Sequence, residues 1–151
     1  MRLRENRSFH GPADDRPMIL IGAGSGIAGL RAHLKERRAS GRRRNWLIFG
    51  ERSREKDFLY QDEILRWSDE GHIRRLDLCF MKEDGVQLYV QDIMREAAQD
   101  LQKWIDGGAA VYVCGSRAGL GDGVDGALRE ILGDERVDAL IARGVYRRDV
   151  Y

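Results

Sequence analysis

Several groups of side chains have types and spacings that could do chemistry. Gly22, Ala23, Gly24, Ser25 and Gly26 stand between an apolar run and an amphipathic one, where free backbone N–H groups and a helix dipole make a ready anion site. Glycine suits such a loop because a Cβ would hold a phosphate away from the backbone. Shifted by two, Gly24, Gly26 and Gly29 also fit GxGxxG, and Glu51 then falls where an acid could hold a ribose hydroxyl. A glycine-rich turn with no ligand would use the same residues.

Cys114 ends the apolar run 110–114 and is followed by Gly115 and Ser116. That places its sulfur at the carboxyl edge of a sheet, where open α/β sheets bind ligands. An inert, buried small residue is the alternative. A thiolate nucleophile is disfavoured, because no histidine lies where the chain pattern would let it activate the thiol. The stretch 80–91 combines Met81, Lys82, Gln87, Tyr89 and Gln91; a cation, an amide and an aromatic suit a phosphorylated ribose and an adenine, or a solvated loop. The chain closes on Asp149, Val150 and Tyr151. A terminal aromatic can stack on a flat ligand and also leave, or it can cap the core at the end of a last strand.

The elements that must position these groups follow from the apolar patterning. Residues 18–21 are continuously apolar, as a strand buried on both faces should be. Residues 26–38 place Ile27, Leu30 and Leu34 on one side, which predicts a helix fed by the glycine loop. Further strands are predicted at 46–49, 75–80, 110–114 and 145–151. Helices are predicted at 57–69, 90–105, 122–132 and 136–143, with Gly71 and the pair Gly107, Gly108 as stops. Alternating strands and helices predict an α/β fold, an open five-stranded parallel sheet with helices on both faces. Residues 1–16 read as a polar arm and 17–151 as one domain.

Composition limits the function. A chain of 151 residues buries roughly 70% of its unfolded surface, enough for a core without staples. Twenty-six basic residues against 25 acidic ones give no broad field for nucleic acid or an anionic membrane. The dense basic run Arg42, Arg43, Arg44 reads as a solvated turn. Cys79 and Cys114 have no CxxC spacing, and the three histidines offer no i, i+4 pair, so no metal site is expected. The stretch 18–30 is broken by glycines and too short to span a bilayer. The polar first sixteen residues do not resemble a signal peptide, and a reduced, cytoplasmic setting is expected.

Together these segments resemble the C-terminal pyridine-nucleotide domain of the ferredoxin–NADP⁺ reductase superfamily, specifically the diflavin reductases and the sulfite reductase flavoprotein type among them. The resemblance rests on FHGPADDRP (9–17), LIGAGSGIAGLR (20–31), NWLIFG (45–50), DFLYQDE (57–63), LYVQD (88–92), VYVCG (111–115) and YRRDVY (146–151). It sets aside the ribose reading of Glu51, because this family places the 2′-phosphate after the third strand.

The resemblance implies a role for each matched position. Ser25 would bond the pyrophosphate, with Gly22, Gly24 and Gly26 as the backbone cradle. Met81 and Lys82 stand where a Ser and an Arg grip the 2′-phosphate, and Gln87, Tyr89 and Gln91 where the adenosine is sandwiched. Cys114 matches the cysteine beside nicotinamide C4, Asp149 the acid that helps orient the ring, and Tyr151 the aromatic that covers the flavin and swings out for hydride transfer. The expected cofactors are NADP(H) and FAD. Residues 1–16 are too few for the family's flavin-binding barrel, so the flavin is expected from a further domain or a partner chain. Electrons would pass on to a sulfite reductase or a haem protein. The competing reading is a nucleotide-binding module without catalysis, kept for regulation or assembly.

Departures from the family pattern carry consequences. Ala23 and Gly29 replace prolines, which predicts a less rigid loop. Met81 and Gln87 remove two partners of the 2′-phosphate, and Lys82 offers a point charge where Arg would be bidentate. If each lost charge-assisted bond is worth about 1.5 to 3 kcal/mol, preference for NADPH over NADH falls about tenfold or more. Ser116 and Gly123 stand where aspartates are usual, which bears on affinity and on hydride-transfer rate.

Overall fold

In the computed structural model, which describes residues 15–23, 26–51, 61–80, 90–115 and 120–150, Met18, Ile19, Leu20 and Ile21 are fully buried and form most of β1 (Met18–Ala23). A strand apolar on both faces needs cover on both. β1 is the middle strand of a five-stranded sheet. β2 (Asn45–Glu51) and β4 (Ala110–Gly115) flank it, and β3 (Arg75–Phe80) and β5 (Tyr146–Val150) are the edges, in the order β3-β2-β1-β4-β5. Every neighbouring pair is parallel.

Helices cover both faces. α1 (Ile27–Ala39) packs on β1 and β4, and α2 (Gln61–Asp69) leads into β3. α3 (Val90–Glu96) lies over β1, β2 and β3 and continues into α4 (Ala98–Asp106). α5 (Asp122–Leu132) packs on α3, and α6 (Asp134–Ala142) packs on α5 and β5. The pleat sorts the side chains between the two layers. Tyr112 meets His33 of α1 edge to face at 5.1 Å, whereas Trp46 meets Trp104 of α4 at 5.4 Å.

The predicted architecture is the observed one, with local differences. The helix expected over 90–105 is two, hinged at Ala97 (φ −96°, ψ 20°), although hydrogen bonds run through the hinge from Ala97 N–H to Ile93 O and from Leu101 N–H to Ala97 O, both 2.9 Å. The hinge lets Val90 and Met94 bury with one segment and Leu101 and Ile105 with the next. The last helix starts at Asp134 rather than 136. Gly133, at φ +89°, breaks the chain direction after α5, and Asp134 and Glu135 then meet the positive end of α6. Residues 57–60 of the expected second helix lie outside the described residues.

A buried polar knot at the amino ends of the strands was not foreseen. Arg37 Nε donates to Asn45 Oδ1 at 2.5 Å, and Asn45 Nδ2 donates to the carbonyls of His72 at 2.8 Å and Arg42 at 3.0 Å. His72 Nε2 bonds Leu34 O at 2.7 Å. These bonds tie the end of α1 to the starts of β2 and β3 while satisfying polar atoms that burial would otherwise make costly. The basic run 42–44 is an exposed turn for the most part, as expected, and it also anchors the approach to β1: Arg44 donates to Asp15 O at 2.5 Å and Arg42 pairs with Asp15 at 3.4 Å.

Candidate functional site: the crevice between β1 and β4

Parallel strands bring their carboxyl ends to one edge. From β1 the chain moves outward through β2 to β3, then returns to β4 on the other side and moves outward again to β5. The chain direction across the sheet reverses between β1 and β4, and this switch point is where open parallel sheets place their ligands. Gly22 and Cys114 are paired in register there. Topology thus joins the glycine loop to a cysteine far away in sequence.

The glycines do more than leave room for an anion. A Cβ on Gly26 would stand 2.3 Å from Cys114 O and 2.7 Å from its carbonyl carbon, and one on Gly22 would stand 3.0 Å from the same oxygen and 2.5 Å from Leu30 Cδ1. Such separations are far inside van der Waals contact. The missing side chains are what let the first turn of α1 seat directly on the end of β4. Gly29, expected to loosen the loop, is instead inside α1, and a Cβ there would meet Cys114 Sγ at 3.1 Å.

The start of α1 is electrostatically open. Gly26 at its N-cap makes no side-chain capping bond, and the first turn carries no acid, whereas α2, α3, α4, α5 and α6 each have one or two there. The positive end of a helix dipole with no acid in its first turn suits an anionic ligand. Burial, reinforced by the Asp149 carboxylate, pushes the Cys114 thiol up to about 12. The group is a neutral S–H at physiological pH, which leaves the nucleophile reading without a thiolate.

Asp149 lies opposite Cys114 in the β4–β5 register and is exposed. Gln91, in the first turn of α3, turns its carboxamide toward α5, so that a Cβ on Gly123 would meet its Nε2 at 3.0 Å. The start of α5 is thereby joined to the start of α3, and Gln91 fills space that an aspartate at 123 would contest. Gly22, Gly26, Cys114 and Asp149 come together at one edge, with Gln91 at the head of the neighbouring α3. Gly24, Ser25, Met81, Lys82, Gln87, Tyr89, Ser116 and Tyr151 lie outside the described residues. Glu51 ends β2 in register with Phe80.

Asp125 was missed by sequence reasoning. Its carboxylate accepts hydrogen bonds from Tyr146 Oη at 3.0 Å and Arg129 Nε at 2.9 Å, and Arg148 stands 4.0 Å away. Partial burial pushes this carboxyl up, but the Arg129 and Tyr146 bonds outweigh it and hold the group below its usual range. The contact fastens β5, which carries Asp149, to α5. Arg129 at i+4 was the readable half of this signal; Tyr146 required the fold.

Among the described residues, no cluster of three or more His, Cys, Asp or Glu side chains could hold a metal, and no helix is long and apolar enough to cross a membrane. The family described as oxidoreductase NAD-binding domain matches residues 20–124. The sulfite reductase (NADPH) flavoprotein alpha-components of Salmonella paratyphi B and Neisseria meningitidis serogroup B are 38% and 35% identical to the chain over 161 aligned residues. Each alignment takes in 99% of this chain and 27% of the relative, so the chain spans about a quarter of the length of the relatives it matches. A parallel sheet whose strand order puts its switch point beside a glycine-lined helix start, and a match of this extent, agree on one assignment: the chain belongs to the oxidoreductase NAD-binding domain family of ferredoxin–NADP⁺ reductase type.

Proposed function

We propose that the chain binds NADP(H) in the crevice between β1 and β4 and presents its nicotinamide to an FAD held by a further domain or a partner chain, as part of an NADPH-dependent flavoprotein oxidoreductase. The observation that carries this reading is the pairing of Gly22 with Cys114 at the switch point, beside a helix start free of acids. When bound, the dinucleotide would supply hydride to the flavin, for electron transfer to an acceptor such as a sulfite reductase or a haem protein.

The chain's own residues bind, orient and exclude water. The N–H groups at the start of α1, with Ser25 and Gly24, hold the pyrophosphate. Lys82, Gln87, Tyr89 and Gln91 receive the 2′-phosphate and adenosine. Met81 contributes no charge there, so discrimination against NADH is weak. Cys114 keeps its proton on Sγ and offers a neutral, polarisable contact to the ring, while Asp149 accepts a hydrogen bond from the carboxamide. Tyr151 would be the aromatic that meets the flavin. Both described cysteines are free thiols, which suits a cytoplasmic setting.

Titration calorimetry of the chain with 2′-AMP and 5′-AMP tests the cofactor. The 2′ form is expected to bind more tightly, by less than the roughly hundredfold that two charge-assisted bonds would add. Equal affinity for the two refutes the NADP(H) assignment.

A further inference from the structure

β5 is an edge strand, bonded on one side to β4, and it reads YRRDV. Among its described side chains only Tyr146 is buried, while Arg148 and Asp149 are exposed. Apolar packing therefore does little to fix how the carboxyl half of the strand lies. The short turn from α6 places its beginning, with Val145 N–H donating to Leu140 O at 3.0 Å. The next tie is a side-chain one: Tyr146 Oη donates to Asp125 Oδ1 at 3.0 Å. Asp125 lies in the first turn of α5, the helix that follows β4. The bond thus joins β5 to the helix that follows the strand carrying Cys114. Arg148 reinforces it, 4.0 Å from the same carboxylate and 5.8 Å from the centre of the Tyr146 ring. Burial pushes the Tyr146 hydroxyl above its usual range, which keeps it a proton donor.

The pleat sends Tyr146 and Arg148 to one face of the sheet and Asp149 to the other. On that second face Asp149 stands across from Cys114 in register, near enough for its charge to raise the thiol. Asp125 and Tyr146 are therefore well placed to act on Asp149 through the strand without touching a ligand beside it. Resting on the NADP(H) reading above, we propose that they are a positioning pair: their hydrogen bond holds β5 to α5 and so stations the Asp149 carboxylate across from Cys114, at the nicotinamide end of the bound dinucleotide.

The test uses the intact chain with two conservative changes. Tyr146→Phe keeps the ring and removes the donor. Asp125→Asn keeps an acceptor for Tyr146 and gives up the charge shared with Arg129. Asp125→Asn is expected to lower the melting midpoint at least as far as Tyr146→Phe, because the ion pairs of Asp125 are lost. The site is expected to respond in the opposite order. In Tyr146→Phe, affinity for NADP⁺ falls about threefold or more with affinity for 2′,5′-ADP unchanged, and nuclear Overhauser contacts between the backbone protons of Cys114 and Asp149 weaken in the unliganded chain. In Asp125→Asn, both the ratio of affinities and those contacts stay as in the wild type. An unchanged ratio or unchanged contacts in Tyr146→Phe, or a loss of NADP⁺ affinity that follows the melting midpoint across the two variants, overturns the proposal. A Tyr146→Phe chain that does not fold also overturns it, since the bond would then be a requirement of the fold. A wild-type chain that binds neither ligand sinks the NADP(H) reading and the cofactor half of this inference with it, whereas the Cys114–Asp149 contacts still report separately on the strand.

Discussion

Replacing Gly26 with alanine separates two reasons for a glycine. If the residue only lets a phosphate approach, the unliganded chain should tolerate Gly26→Ala and gain from it: φ −62° and ψ −14° suit any residue, and restricting the unfolded chain stabilises by about 0.4 to 1 kcal/mol. The structure predicts the opposite sign. The new Cβ would meet the Cys114 carbonyl oxygen at 2.3 Å and its carbon at 2.7 Å, and neither atom belongs to a side chain that can rotate away. Overpacking of this kind costs about 1 to 3 kcal/mol, and two clamped backbones argue for the upper half, so a net loss of about 1 to 2.5 kcal/mol remains after the entropic gain. For a chain of this size that lowers the melting midpoint by about 2 to 10 °C. Gly126→Ala is the control. Gly126 lies in α5, exposed and with nothing within 4 Å of its added Cβ, so the same change should stabilise by about 0.5 to 1 kcal/mol. Thermal and urea unfolding followed by circular dichroism report both, and a Gly26→Ala chain that melts at or above the wild type refutes the clamp on Cys114.

Asp125→Ala should destabilise by about 1.5 to 3 kcal/mol, since Arg129 and the Tyr146 hydroxyl lose a charged partner; because this carboxyl is held below its usual range, its contribution is present above the unfolded value and lost as pH falls through the folded one, which acid titration of the urea midpoint detects. His72 is pushed below its usual 6.5, chiefly by burial. The unfolded state then takes up the proton first, so stability should fall as pH drops below 6.5, and His72→Gln should flatten that slope by up to about 1.4 kcal/mol per pH unit. Cys114, with its thiol pushed up to about 12, should alkylate slowly in the folded chain from pH 7 to 9; a labelling rate that titrates near neutrality contradicts the neutral-thiol role.

Continuous apolar runs made the strands legible, because a strand buried on both faces has no other pattern to show. The same logic could not see the hinge at Ala97, since alanine is the best helix former and no local signal marks the break. Nor could it see the knot of Arg37, Asn45 and His72. Each reads as a surface residue in isolation, and their bonds span as many as 38 positions. At the site, the loop and the cysteine were readable as types, but their adjacency depends on a strand order in which β4 returns to the middle of the sheet. The glycines were ambiguous in principle. Anion approach and helix-on-strand packing both demand a missing Cβ at 22 and 26, and only the position of the Cys114 carbonyl distinguishes them.

That double use has a mechanical consequence. A switch point exists in any sheet of this strand order, whatever its sequence; what is particular here is that the start of one helix packs directly on the end of β4. The start of α1 offers the N–H groups that suit a pyrophosphate, and Gly29 in the same first turn lies against the Cys114 thiol. Further along, about 11 and 15 Å from its start at 1.5 Å per residue, it is pinned by Leu34 O to His72 and by Arg37 to Asn45. A helix pinned there and clamped at its start cannot tilt to meet a phosphate without disturbing its contact with the thiol. The distance between the start of α1 and Sγ is therefore set by a rigid element.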